Sequence, residues 1–216
     1  MLMRSLATNA GHRNHGASGF SLLEMMIVLA LAIVASVVSV MSLIPMLNAQ
    51  RVVNAYNTTL SVMRQARDNA VAQQTSYSVV FSNTVTPNTI TVAPTATFTG
   101  DQTTDTYKLP PGVTFLVQTG YPSPGPDGIG AGANAIDFGY TASGSTGIET
   151  IYFCPDGSAQ TTSTCSGAGN WDGGVVYLGQ SGNLLSARAV TLWGATGRIH
   201  GWRLYGQSGA YQWVRQ

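Results

Sequence analysis

The 216-residue sequence predicts an α+β fold in which one long N-terminal α-helix packs on a mostly antiparallel β-sheet head. Residues 20–76 carry an apolar run that turns into a helical stripe, and residues 77–216 consist of short β-rich runs separated by Gly- and Pro-rich turns. Hydrophobic residues make up 44% of the chain and charged residues only 9%. This composition argues against intrinsic disorder, which requires few apolar groups and a high net charge.

The first half of the predicted helix is apolar enough to cross a lipid bilayer. Residues 20–47 carry a single charged residue, Glu24, and a helix of about 20 apolar residues spans a bilayer core. Residues 1–19 contain Arg4 and Arg13 without an acidic residue, so the positive-inside rule places them in the cytoplasm and the rest of the chain outside. A secretory signal peptide fits less well, because its apolar region is only about 7–15 residues long.

Residues 48–76 predict the second, amphipathic half of the helix. Apolar residues recur three or four positions apart, with polar and charged residues between them. This apolar stripe consists of Val52, Val53, Tyr56, Leu60, Met63, Ala66 and Ala70. We expect the stripe to pack on the head, and we expect the helix to end near Gln74 or Thr75, where β-favouring residues begin.

The head, residues 77–216, is predicted to consist of short strands. Runs of β-branched and aromatic residues alternate with turn signals that contain Gly and Pro. The predicted strands are 77–81, 89–92, 113–117, 135–138, 149–153, 175–178, 189–192 and 198–205. The stretch 121–133 is too rich in Gly and Pro for a regular element and is predicted to be a surface loop.

The acidic residue at the start of the apolar run belongs to a recognisable motif. An ionisable side chain in a membrane-spanning helix costs about 2.5–3.5 kcal/mol on insertion scales and by default indicates a function. The segment Gly19-Phe20-Ser21-Leu22-Leu23-Glu24 resembles the N-terminus of type IV prepilins and type II secretion pseudopilins. This resemblance implies cleavage after Gly19 by a prepilin peptidase and N-methylation of the new amino terminus at Phe20.

The resemblance also implies that Glu24 takes part in subunit assembly. The amine created at Phe20 is four residues from Glu24, and in a filament the amine of one subunit can pair with the Glu24 carboxylate of a neighbour. The alternative is that Glu24 only reaches the membrane interface. The implied partners are the prepilin peptidase, the inner membrane and other pilin subunits. The implied location is the bacterial inner membrane, with the head in the periplasm, and then a pilus or pseudopilus filament.

A second match narrows the resemblance to the GspH/FimT/FimU type of minor pilin. Members of this type commonly end in a hairpin whose return strand opens Ser/Thr-Gly-Arg-x-Arg, and Thr196-Gly197-Arg198 matches this start, while His200 stands in place of the second arginine. The match implies a minor pilin of a type IV pilus or of its priming or tip complex. Three alternatives stay open: a type II secretion pseudopilin, a DNA-binding minor pilin of a natural-transformation pilus, and a single-pass anchored β-domain without a filament.

The C-terminal strand supplies the candidate DNA-binding residues, which are Arg198, His200, Arg203 and Arg215. In some FimT-like minor pilins the corresponding basic hairpin binds DNA, and arginines with aromatic neighbours suit phosphate contact and base stacking. Charge argues against this function, because the net charge is +1 and cleavage after Gly19 also removes Arg4 and Arg13. A few phosphate contacts would give weak, salt-sensitive binding. The favoured alternative is that these side chains are ordinary strand-surface and sheet-packing residues.

Two cysteines, Cys154 and Cys165, permit one disulfide in a segment expected to face the oxidising side of the membrane. In the loop-entropy treatment this bond would stabilise the head by roughly 3 kcal/mol. The alternative is a pair of buried thiols.

We expect no enzymatic activity, cofactor or metal site. His200 is the only histidine beyond the apolar run, so a Ser-His-Asp triad would depend on it. The glycine-rich segment 125–132 lacks the lysine of a phosphate-binding loop. Several carboxylates lack the spacing of a calcium loop and are interpreted as solvated turn residues, namely Asp101, Asp105, Asp127 and Asp137.

Overall fold

The computed structural model describes residues 19–95, 103–130, 133–140, 147–165, 172–207 and 209–216. The chain divides into two compact units, Met1–Ile44 and Pro45–Gln216. Helix α1 covers Leu22–Gln73, so it begins in the first unit and ends in the second. A helix followed by a mostly antiparallel β head confirms the predicted α+β fold.

The described part of the first unit is the N-terminal stretch of α1. Its side chains from residue 19 to residue 37 are all exposed, and Leu22, for example, keeps 78% of its surface accessible. In the described residues, no helix reaches the combination of length and hydropathy that a membrane crossing requires.

In the second unit, the C-terminal part of α1 packs against the β strands through the predicted apolar stripe. Its residues are buried, apart from the half-buried Val53, and Met63, Ala66 and Ala70 have no exposed surface. Ala55, Thr59 and Val62 widen the buried face, and the Thr59 hydroxyl is satisfied by donating to the Ala55 carbonyl at 2.9 Å. Arg51, Arg64 and Asp68 of this part of the helix are exposed, as an amphipathic helix requires, whereas Arg67 is half-buried beside the head.

The described residues of the head form two antiparallel sheets. The strands are β1 (Tyr77–Ser82), β2 (Thr89–Pro94), β3 (Asp105–Lys108), β4 (Thr114–Phe115), β5 (Ile136–Tyr140), β6 (Thr150–Phe153), β7 (Ala159–Gln160), β8 (Gly173–Gln180), β9 (Asn183–Trp193), β10 (Arg198–Gln207) and β11 (Ala210–Arg215). Sheet A has the strand order β3-β2-β1-β6-β7. Sheet B has the order β11-β10-β9-β8-β4, and β5 also pairs with β8.

The main core lies between the two sheets and α1. Phe81 of sheet A contacts Phe115 and Phe138 of sheet B, with ring centroids 5.6 and 5.5 Å apart, and all three rings are buried. A smaller cluster on the opposite face of β8 contains Val175 and Tyr177. Sheet B is therefore covered on both faces, by the main core on one and by a loop on the other.

That covering loop is the Gly- and Pro-rich stretch that the sequence predicts to be a surface loop over 121–133. The prediction is wrong for its centre, because Gly125, Pro126, Ile129 and Gly130 are buried and Pro126–Gly128 forms a turn of 3₁₀ helix. Ile129 packs with residues of β8 and β9 in the smaller cluster. Burial of this one apolar side chain holds the loop down on the sheet.

Candidate functional site

The residues of the predicted cleavage site lie immediately before helix α1. Gly19 and Phe20 precede the first helical residue, Leu22, and Phe20 is 76% exposed. Among the described residues, nothing lies within 4 Å of a Cβ built on Gly19. Glu24 lies in the first turn with an exposed side chain. Gly19, Phe20 and Glu24 are therefore exposed; residues 1–18 of the predicted leader lie outside the described residues.

The two cysteines form the predicted disulfide. Cys154 and Cys165 are bonded with their Cα atoms 5.7 Å apart, and Cys154 is buried. The alternative of two buried thiols is therefore wrong. The bond spans the turn that follows β6, in which the Cys154 carbonyl accepts from the N–H of Gly157 at 2.8 Å.

A groove of about 340 Å³ lies between α1 and the end of sheet B, within the second unit. Its lining contains four arginines and one acidic residue, and the full set is Arg64, Arg67, Asp68, Gly197, Arg198, Ile199, His200 and Arg215. The side chains of Arg64, Arg198 and Arg215 are exposed. We call this feature the basic groove, because its excess of guanidinium groups favours an anionic ligand.

One arginine of the basic groove, Arg67, binds the two turns that form one side of the groove. Arg67 donates from Nε to the Gly157 carbonyl and from Nη2 to the Thr196 carbonyl, each at 3.1 Å. Gly197 has φ +58°, and a Cβ there would lie 2.0 Å from the Gly157 carbonyl oxygen. Only glycine fits this turn, and the turn positions Arg198. The glycine of the Thr196-Gly197-Arg198 segment is therefore required by the backbone geometry.

The other wall is tied to the loop over sheet B through Asp127. The Asp127 carboxylate accepts from Nδ1 of His200 at 2.8 Å and from the Thr191 hydroxyl at 2.5 Å. The indole N–H of Trp202 donates to the same hydroxyl at 3.0 Å. Burial alone would raise the pKa of Asp127, but the hydrogen bonds from Thr191, His200 and Trp193 outweigh it and hold this pKa below its ordinary value.

This arrangement predicts an acid-labile loop. The carboxylate is favoured in the folded state, so its contribution is complete above the ordinary pKa of 3.8 and is lost as the pH falls through the lower folded value. We expect Asp127→Asn to lower the free energy of unfolding by about 1.5 kcal/mol at neutral pH. Urea unfolding between about pH 7 and pH 2 should show a constant difference above pH 3.8 and convergence of the two proteins only below it. A constant difference across that range would contradict the prediction.

The structure separates the four candidate DNA-binding residues. Arg198, His200 and Arg215 line the basic groove, whereas Arg203 is absent from its lining. The guanidinium of Arg203 instead stacks on the ring of Tyr205, with 4.8 Å between Cζ and the ring centroid. Arg64 and Arg67 join the groove from α1, and the sequence prediction missed both. Their spacing of three on the polar side of an amphipathic helix was the available signal.

The interpretation of the aspartates as solvated turn residues needs correction. Asp137 is 1% exposed and accepts from the N–H of Gly147 at 2.9 Å, and Asp127 is only 15% exposed. Asp105 is exposed, while Asp101 lies outside the described residues. Both corrected carboxylates are largely shielded from solvent and accept hydrogen bonds, which offset the cost of their burial. In the part of the chain that the structure describes, no group of three or more His, Cys, Asp or Glu residues is placed to hold a metal ion.

Comparison with known proteins gives one match. Residues 14–42 match the family model described as the prokaryotic N-terminal methylation motif. No curated protein and no solved structure matches the chain. The matched segment contains Gly19, Phe20 and Glu24, the residues singled out by the sequence and left accessible by the fold. The chain therefore carries, at its N-terminus, the signature of type IV prepilin-like proteins.

Proposed function

We propose that this protein is a minor pilin, a non-enzymatic structural subunit of a type IV pilus or of its priming or tip complex. Prepilin peptidase cuts it after Gly19 and methylates Phe20, and the N-terminal helix then joins the subunit to other pilins. The observation that carries this proposal is the methylation motif over residues 14–42, which contains Gly19, Phe20 and Glu24.

The exposed apolar surface of α1 supports assembly through the helix. Side chains such as Leu22 and Leu29 keep 78% and 65% of their surface accessible in the single chain. Exposed apolar area of this extent is normally covered by a membrane or by other protein chains. In our proposal residues 20–47 lie in the inner membrane before assembly and in the filament afterwards, with the head in the periplasm and then on the filament.

Glu24 has a specific role in this scheme. Cleavage gives Phe20 a positive amine, and Glu24 is the only charge in the apolar run. Packed among other helices, a carboxylate needs a partner, because an unpaired charge in a low-dielectric environment is costly. The amine of a neighbouring subunit supplies that partner. A type II secretion pseudopilin would use the same pairing between the Phe20 amine and Glu24. The pilin and pseudopilin functions therefore differ in the filament that is built and not in this contact.

The proposal is tested by intact-mass measurement and N-terminal sequencing of the membrane-extracted protein, with and without the prepilin peptidase. We expect a chain that begins at methylated Phe20 only when the peptidase is present. A chain that retains residues 1–19 under both conditions would overturn the proposal and leave a single-pass anchored domain. Co-purification with subunits of a pilus or of a type II secretion system would then identify the filament.

The basic groove favours a second candidate function, binding of DNA by a minor pilin of an uptake pilus. Exposed Arg64, Arg198 and Arg215 stand around a space large enough for a nucleotide-sized group. The charge of the groove is local, since the chain as a whole is nearly neutral. Guanidinium groups in a concave surface suit phosphate contacts even without a basic protein overall.

We expect Arg64→Ala and Arg198→Ala each to weaken binding of a short single-stranded oligonucleotide at low salt. Each lost phosphate contact should reduce the slope of log affinity against log salt by about 0.7. Arg51→Ala is the matched control, because Arg51 is an exposed arginine of α1 outside the groove that bonds only to Asn48 nearby. An equal loss in the control would show non-specific charge attraction and remove the DNA-binding candidate.

A further inference from the structure

A pair of arginines lies on sheet B outside the lining of the basic groove. Arg188 of β9 and Arg203 of β10 are directly opposite each other in the antiparallel register. Residues in this relation project from the same face of a sheet, with Cβ atoms about 4.5–5.5 Å apart, and like charges there are destabilising. Two adjacent cations therefore occupy a position where a sheet normally carries opposite charges or apolar residues.

Arg188 is more than nine-tenths buried, with 8% of its surface exposed. Its Nη1 donates to the carbonyls of Ser186 and Ala187 at 3.2 and 3.0 Å. These bonds satisfy N–H groups but do not neutralise the charge. Burial lowers the pKa of Arg188, and the charge of Arg203 lowers it further. Burial and the neighbouring charge thus both disfavour the protonated form of Arg188.

Arg203 lacks a counterion as well. Its Nε is buried and has no hydrogen-bond partner among the residues that the structure describes, while the guanidinium stacks on Tyr205. Within the described residues, the only salt bridge is the one between His200 and Asp127. A buried guanidinium donor without an acceptor costs free energy, and removing such a group from water without an anion costs more.

The surroundings of the pair are aromatic and positive. Burial raises the pKa of Tyr56, whereas the charges of Arg188 and of Arg64 on α1 lower it. The half-exposed ring of Tyr205 lies against the guanidinium of Arg203. The low exposure of Arg188 strengthens its attraction to an anion.

We propose that Arg188 and Arg203 form a phosphate-binding site, which holds one phosphate group between the two guanidinium groups. The free Nε–H of Arg203 donates to one oxygen, and the planar forks of the two arginines match the oxyanion geometry. The phosphate comes either from free inorganic phosphate or from the backbone of a nucleic acid. The site depends neither on filament assembly nor on binding in the basic groove.

The first experiment measures thermal unfolding of the full-length chain in a non-ionic detergent by tryptophan fluorescence. Sodium phosphate is titrated against sodium chloride at equal ionic strength. We expect phosphate to raise the Tm progressively above the chloride value, because a ligand that binds only the folded state stabilises it. The proposal would be overturned if the Tm values in the two salts were equal and if Arg203→Gln also left oligonucleotide binding, measured in the second experiment, unchanged.

Arg203→Gln is the diagnostic variant, since Arg203 is half-buried and its loss leaves the fully buried Arg188 in place. We expect this variant to have a higher Tm than the wild type in chloride, because the repulsion is removed, and no phosphate-dependent increase. Arg203→Lys keeps the charge without the planar fork and should lose most of the increase. Arg51→Gln, which removes an exposed arginine, should retain all of it. A full phosphate response in Arg203→Gln would overturn the free-phosphate source.

The second experiment distinguishes the source of the phosphate. We expect Arg203→Gln to weaken binding of a short single-stranded oligonucleotide at least about tenfold if the backbone of a nucleic acid occupies the site. Unchanged oligonucleotide binding, together with a lost phosphate response, would identify free phosphate as the ligand. If Arg203→Gln changes neither the phosphate response nor the oligonucleotide affinity, the site does not exist.

Discussion

Replacing both Cys154 and Cys165 by alanine is expected to lower the free energy of unfolding by about 3 kcal/mol. The disulfide closes a loop with a sequence separation of 11 residues, and the bond acts chiefly by restricting the unfolded chain. A loss of this size is a large part of the total stability of a domain. Urea unfolding followed by tryptophan fluorescence measures it, and the reduced wild type should behave like the double variant.

Loss of the disulfide should also affect the basic groove, because the bond lies next to the turn whose Gly157 carbonyl binds Arg67. The turn after Cys154 presents the Gly157 carbonyl to Arg67, and Arg67 in turn holds the turn at Gly197 that positions Arg198. We expect the double variant to lose oligonucleotide affinity as well as stability, if the groove binds DNA. Unchanged urea midpoints in oxidised, reduced and double-variant proteins would contradict the structural role of the bond.

The sequence predicted the α+β fold because its strongest patterns are local. The apolar stripe of α1 and the alternating β-branched runs of β1 and β2 can be recognised within a few residues. β3, β7 and β11 were missed. The sequence of β3 is polar and its residues are mostly exposed at a sheet edge, and β7 consists of two residues defined by pairing with β6. Such strands form because they pair with neighbouring strands, and a local sequence pattern carries no information about that pairing.

The candidate site was predicted in part for the same reason. Arg198, His200 and Arg215 follow from the composition of the C-terminal strands, but Arg64 joins them only because α1 packs beside β10. Asp127 and His200 are 73 residues apart, so their hydrogen bond depends on how the loop folds back over sheet B. A sequence shows which residues are charged, but tertiary packing decides which of them share a groove.

Gly201 shows how closely that packing constrains a single position. It lies inside β10, where glycine ordinarily weakens a strand. A Cβ at this position would lie 1.8 Å from the Tyr56 hydroxyl oxygen and 2.7 Å from Cζ of the same ring. Tyr56 is 7% exposed, so the ring has little space into which it can retreat. The absence of a side chain at Gly201 is therefore what allows α1 to approach sheet B at Tyr56.

We expect Gly201→Ala to lower the free energy of unfolding by roughly 1–3 kcal/mol, the usual cost of overpacking a well-packed core. Gly179→Ala in β8 is the matched control, because the nearest atom to its Cβ is the Ser186 hydroxyl oxygen at 3.2 Å, a far milder contact than at Gly201, and it should cost less stability than Gly201→Ala. Adding Tyr56→Phe to Gly201→Ala should recover part of the loss, since the hydroxyl oxygen is the closest atom. Urea unfolding of the wild type, of Gly201→Ala, of Tyr56→Phe and of the double variant gives the coupling between the two positions. If Gly201→Ala is as stable as the wild type, or if Tyr56→Phe recovers nothing, the helix is not held against β10 at this point.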